Sequence, residues 1–278
     1  MAQSPAITPM EQFEIHKIPG LTFPPVHIGG LTIDMSITNS IAAMIVGAII
    51  VMVFLALTAR RQIVPDRAQA VAESLYGIID TVLVGPIIGP KGRPYIPFIF
   101  SLFMLIMVMN LMGVVLSVGS LGGQSWTFTA TAQLAVTATL ALVTFLSVMI
   151  LGFVKNGPGF VKLFVPSGMP LPLLIFMVPI EMISYFARPV TLAMRLFGNM
   201  LGGHVVMSIF GSFVVALGFY AATHGGIANL GYLGSALSLA MIVALTALEL
   251  VVAFLQAFVF AALATVYVNE VVNFGHGH

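Results

Sequence analysis

The segment from Leu171 to Ala222 constrains this chain more than any other. It is apolar almost throughout and carries three formal charges, Glu181, Arg188 and Arg195, spaced seven apart. As one continuous α-helix it would run about 78 Å at 1.5 Å per residue, against about 30 Å of bilayer hydrocarbon. It is therefore expected to be broken, or strongly tilted and curved, and Pro179 and Pro189 permit bends. At about 100° per residue, seven positions fall about 20° short of two turns, so the three charges line one helix face. Ser184, Thr191 and Asn199 fall on or close to that face. A charged side chain at mid-bilayer costs roughly 2.5–3.5 kcal/mol or more. Such a stripe has to turn toward a protein partner or a water-filled path. Two plainer readings are a buried structural ion pair and an Arg195 that reaches the interface with its long side chain.

Composition sets the class. The chain is 59% apolar and 7% charged, where a soluble domain carries about 25% charged residues, so an integral membrane protein is expected. It has no cysteine, which excludes disulfides and thiolate metal sites. A net charge of +1 without a basic cluster argues against a nucleic-acid partner. Residues 1–36, with Glu11, Glu14, Lys17 and several prolines, read as a polar N-terminal extension rather than a cleavable signal peptide. No Arg- and Ser-rich leader suggests import into an organelle.

The fold class predicted is all-α, a single membrane domain over residues 1–278. About five helices cross the bilayer: 41–59, 95–118, 134–154, and the overlong 171–222 and 230–268, which close the chain as a hairpin. Between the first two spans, Asp66 to Leu83 places Ala68, Val71, Leu75, Ile78, Ile79 and Val82 at helical spacing. That pattern fits an amphipathic helix at the interface, or else a soluble loop helix packed on the protein. Glycines and prolines between Gly85 and Pro94 end it. Asn110 is the one strongly polar residue of the second span. Basic residues crowd the loop after the first span (Arg60, Arg61, Arg67, Lys91, Arg93) and follow the third (Lys155, Lys162), whereas the loop with Trp126 has none. The expected topology puts the N-terminus and the Trp126 loop outside and the C-terminus in the cytoplasm.

Beyond residue 170 the ionisable membrane residues are Glu181, Arg188, Arg195, His204 and Glu249, and Gln256 lies seven beyond Glu249 on the same helical face. Arg195 stays protonated, while His204 and Glu249 can each gain or lose a proton. A fixed cation, titratable groups and amides are the parts of a proton pathway and poor parts for an organic-substrate pocket. No HExxH, GxSxG or Walker loop is present, and no cofactor or metal is expected, His276 and His278 in the polar tail being a weak candidate pair. The alternatives are a stand-alone channel or proton-coupled transporter, which would work without partners, and an intramembrane enzyme with His204 and Glu249 as base and orienter, for which no nucleophile accompanies them.

The runs ARPVTLAMRLFGNMLGGH and ELVVAFLQAFVFAALATVYVNE, with NLMG at 110–113 and KLFVPSGMP at 162–170, resemble subunit a of the F-type rotary ATP synthases, in its alphaproteobacterial form. The resemblance implies a non-catalytic stator subunit of a bacterial inner membrane. Its long tilted hairpin would lie against a rotating ring of c subunits, with peripheral-stalk b subunits and the rest of the synthase as further partners. The family's essential arginine falls on Arg195 and its neighbouring asparagine on Asn199. The paired titratable positions fall on His204 and Glu249, the glutamine on Gln256 and the acid toward the cytoplasmic exit on Glu181. Arg188, Ser184 and Thr191 are supporting polar candidates. Gly198, Gly202 and Gly203 would allow close approach of another helix, or serve ordinary packing. One departure is TATAQLAVT at 129–137: many members have Pro, Asp and Asn where this chain has Thr129 or Thr131, Gln133 and Ala135. The resemblance therefore supplies no proton-collecting acid at Gln133.

Overall fold

The computed structural model describes residues 26–28, 31–33, 36, 38–58, 65–119, 130–157, 159–160, 171–224 and 229–273. Arg60, Arg61, Thr129, the Trp126 loop, Lys162 with the PSGMP run, and His276 and His278 lie outside them. The described chain is all-α in architecture, with one small addition in the stretch expected to be an extension. There β1 (Val26–Ile28) pairs antiparallel with β2 (Leu31–Ile33), Val26 opposite Ile33 and Ile28 opposite Leu31.

The helices follow in order. α1 spans Asn39–Thr58. α2 (Arg67–Ile78) continues through a π-helical turn at Ile79–Val84 into the short α3 (Gly85–Ile87). A 3₁₀ turn at Pro90–Tyr95 leads into α4 (Ile96–Gly119). A second 3₁₀ turn at Ala130–Ala132 precedes α5 (Leu134–Asn156), and α6 (Leu171–His224) and α7 (Leu230–Val272) close the chain.

Six helices among the described residues are long and apolar enough to cross a membrane. The least apolar is the Arg67–Ile87 run, with mean hydropathy 1.4 against 2.1 to 2.8 for the others. It is the one read from sequence as interfacial, and its packing departs from a simple inward apolar face. Gln69 is buried and donates to Glu73 at 2.7 Å, while Val71 and Val82 are exposed. Lipid is as apolar as a protein core, so an apolar stripe need not mark the inner face. The same logic explains the exposed Ile150 and Val154 on α5 and Ile175, Phe176 and Ile183 on α6.

Of the two alternatives for the 171–222 run, broken or tilted and curved, the break does not occur. α6 is one helix of 54 residues with Pro179 and Pro189 inside it. Each proline removes one backbone donor. In an apolar environment the remaining amides have no better partner than their own helix, so the helix continues.

The described residues pack as two compact units. The first comprises Met1–Gly47, Val108–Gln133 and Phe197–Leu255. In it α1 approaches α4 at Gly47, where an added Cβ would stand 3.1 Å from Met109 Cγ. α6 and α7 run antiparallel and close together. Ser235 donates to the Val214 carbonyl at 3.0 Å, Thr246 contacts Met207 Sδ at 3.6 Å, and a Cβ on Gly231 would come within 2.7 Å of the Leu217 oxygen. Ala132, Met200 and Ala253 form a buried cluster, with Leu111 packed against it.

The second unit comprises Ala48–Met107, Leu134–Leu196 and Gln256–His278. Its core includes Ile79, Ile99, Phe103 and Ile106, all fully buried. Asp66 caps α2 by accepting from the Arg67 amide at 2.7 Å. Gly152 on α5 gives room to the ring of Phe160, whose Cε2 would lie 2.5 Å from a Cβ there. The last carbonyls of α7 are satisfied from α5: Val271 accepts from Asn156 at 2.9 Å and Val272 from Lys155 at 3.4 Å. A cation at a helix C-terminus also complements its dipole.

Candidate functional site

In the first unit the two titratable site residues are buried. His204 on α6 is 4% exposed and Glu249 on α7 is 6% exposed. The Glu249 carboxyl lies against Gly203, the residue before His204. A Cβ on Gly203 would overlap Oε1 and stand 2.8 Å from Cδ. Both carboxyl oxygens are buried with no hydrogen-bond partner among the described residues. Burying such a group is costly, so an unsatisfied carboxyl in a packed helix pair points to a role other than stability. The glycine cluster thus divides. Gly203 makes room within the subunit, whereas Cβ atoms on Gly198 and Gly202 would meet nothing within 4 Å.

Neutral polar groups are buried in the same unit. Asn110 Nδ2 donates to the Ala253 carbonyl, one turn after Glu249, at 3.2 Å. Asn110 Oδ1 and the Thr131 hydroxyl are buried without a hydrogen-bond partner among the described residues. Ser40 on α1 donates to Gln133 Oε1, and both residues are buried. At the position where the resemblance left an acid in doubt, a buried amide is tied to a hydroxyl. Sequence reasoning passed over Ser36 and Ser40, both buried, because a serine just ahead of an apolar span is unremarkable until its burial is known. Asn199, also in this unit, is exposed.

In the second unit the arginines part company. Arg188 Nη1 donates to both oxygens of Glu270, at 2.6 and 2.9 Å. Its guanidinium lies 5.3 Å from the Tyr185 ring centroid and 5.6 Å from that of Tyr267. Arg188 is therefore ion-paired, and no free cation of the stripe is left at that position. Arg195 is exposed and has no ion pair among the described residues. Ser184 and Thr191 are exposed, Thr191 donating back to the Arg188 carbonyl at 2.9 Å, and Glu181 and Gln256 are half-buried. Glu270 is the residue sequence reasoning missed. It sits in the polar stretch ending the last helix and looks there like an ordinary solvated acid. The usable signal was the antiparallel hairpin: Glu270 lies about as far beyond the turn as Arg188 lies before it.

These features define a polytopic α-helical membrane protein whose candidate site residues Glu181, Arg195, His204, Glu249 and Gln256 sit on its two longest helices. Comparison with known proteins narrows this. Residues 40–269 match the family model described as ATP synthase A chain. The chain is 44% identical over 271 residues to a Rhodopseudomonas palustris protein named ATP synthase subunit a, covering 97% of this chain and 100% of that one. Proteins of the same name from Maricaulis maris and Mesorhizobium japonicum are 43% and 41% identical, covering 96% and 97% of this chain and 98% of each relative. The chain belongs to the ATP synthase subunit a family, a component of the membrane sector and not the catalytic subunit.

Proposed function

We propose that this chain is the stator of the membrane sector, supplying two proton half-channels to a rotating c-subunit ring. Protons reach the ring from outside by way of His204, Glu249 and Gln256, with the buried neutral groups Asn110, Thr131 and Gln133 lining the approach. They neutralise a ring carboxylate, which can then face lipid. After nearly a full rotation the carboxylate meets an inner path near Glu181 and releases its proton. Arg195, flanked by Asn199 one turn later, separates the two paths. The open positions at Gly198 and Gly202 suit close approach of a partner helix.

One contrast supports this reading above the others. Among the described residues, the buried carboxyl of Glu249 has no hydrogen-bond partner, while the exposed Arg195 cation has no ion pair. A protein stabilised for its own sake would have paired them or lost them. Co-purification tests the assignment. The tagged chain is expected to bring down a small two-helix membrane protein present in many copies, together with peripheral-stalk b subunits. Full ion transport by the purified chain alone would favour the transporter reading instead.

In a bacterial inner membrane the N-terminus would lie outside and the C-terminus in the cytoplasm, following the basic loops. The chain has no cysteine, so single cysteines report cleanly. Ser74→Cys, at an exposed position of α2, is expected to react with a membrane-impermeant maleimide only in inverted vesicles, and Ser120→Cys only in intact cells. Labelling of Ser74→Cys from outside would reverse the orientation.

A further inference from the structure

Arg188 and Arg195 are chemically identical, seven residues apart on α6, and oppositely deployed. Arg188 is held by both oxygens of Glu270 and lies beside the rings of Tyr185 and Tyr267. Glu181 is a second acid within electrostatic range of it. Arg195 has no ion pair among the described residues. A guanidinium whose charge is met by a carboxylate and whose plane is flanked by aromatic rings has little field left for a third party and few rotamers left to reach one. Two unpaired cations would instead give a travelling anion two stopping points on one helix, and the second would compete with the first.

We infer that Glu270 is a positioning residue of the ion path: it neutralises and immobilises Arg188, so that a carboxylate moving along α6 meets one available cation, Arg195, and not two. This rests on the reading of Arg195 given above. Glu270 itself touches neither the proton nor the ring. Its effect is carried through the pair with Arg188.

A plain structural clamp between α6 and α7 makes a different prediction, and three variants separate the two. In inverted vesicles matched for assembled synthase, ATP-driven acidification by Glu270→Gln is expected to fall about tenfold, because Arg188 is left as a second open cation. Adding Arg188→Gln removes that cation and is expected to bring pumping back to within about twofold of wild type. A clamp would not be rescued, since the double variant has lost the pair entirely. The proposal is overturned if Glu270→Gln pumps at the wild-type rate, or if the double variant pumps no better than Glu270→Gln. If Glu270→Gln assembles poorly, the charge-reversed pair Arg188→Glu with Glu270→Arg decides. It keeps the site neutral and is expected to assemble and pump, and an assembled but inert reversed pair would refute the proposal. Arg195→Ala in parallel keeps the two readings apart. Normal pumping by Arg195→Ala removes the reading of Arg195, whereas an inert Arg195→Ala beside a normal Glu270→Gln removes only the role of Glu270.

Discussion

Vesicles carrying Arg195→Ala are expected to show no ATP-driven acidification and no proton-driven ATP synthesis, while the chain still inserts and the synthase still assembles. Assembly should survive because Arg195 is exposed and makes no ion pair among the described residues, so its removal strands no buried charge. Function should not survive, because the cation has two tasks in the proposed cycle. At an effective dielectric near 20 and a separation of about 4 Å, opposite unit charges attract by roughly 4 kcal/mol. That favours the ionised form of a passing ring carboxylate, so its proton leaves before the group goes by. It is weak enough, once water screens the pair, that the ring is not trapped. A permanent positive charge also repels protons that would otherwise hop between half-channels, so passive conductance is expected to hold or rise in the alanine variant. Arg195→Lys is expected to fail as well, since an ammonium can lose its proton when desolvated and lacks the planar fork. The measurement is acidification read beside passive proton conductance in the same vesicles. Near-normal coupled pumping by an assembled Arg195→Ala synthase would return Arg195 to a structural role.

Gly203→Ala is the second substitution expected to cost most of the activity. The added methyl would occupy the place of the Glu249 carboxyl, overlapping Oε1 and crowding Cγ at 3.0 Å. The atoms in the way are largely the far end of a side chain, so the helix pair can stay packed while the carboxyl is driven elsewhere. The expected result is a normally assembled synthase with pumping reduced about tenfold or more. Glu249→Asp shortens the side chain by one methylene and withdraws the carboxyl from the new methyl. It is expected to be impaired alone and to restore part of the activity when added to Gly203→Ala. The double variant is thus predicted to pump better than the product of the two single losses. A double loss equal to that product would mean that Gly203 and Glu249 act independently and that the fit between them has no functional weight. The same cycle run with His204→Ala asks whether the adjacent histidine belongs to the same unit of function.

Much of the architecture is legible in the residues because charge is so scarce. A run such as Ile41 to Leu57 can only be a membrane helix, and Arg195 or Glu249 inside such a run announces itself. What escapes is whatever depends on which neighbour a side chain meets. Gly198, Gly202 and Gly203 are alike in a sequence, yet only the last faces a carboxyl. Arg188 and Arg195 occupy equivalent turns of one stripe, and their difference is created by Glu270 from another helix. The face of α2 was misleading for a related reason. Val71 and Val82 are exposed and Gln69 is buried, so the apolar stripe there does not mark the side turned inward.

The unbroken length of α6 has an electrical consequence. Fifty-four residues make about 81 Å of helix, whereas a bilayer with its headgroups is only about 40–45 Å thick. Whatever mixture of tilt and bend keeps the helix within that layer, depth then changes by under about 0.9 Å per residue on average, not 1.5 Å. Seven residues, the step from Arg188 to Arg195, would correspond to about 6 Å of depth, or roughly a fifth of the hydrocarbon thickness. A charge shifted by that much feels only about 0.5 kcal/mol of a 100 mV potential, where a full crossing yields about 2.3 kcal/mol. Movement of a carboxylate past this helix would thus be nearly sideways in the field. The voltage would do its work on protons in the approaches around Glu249 and Glu181, and hand over at Arg195 would be close to electrically silent.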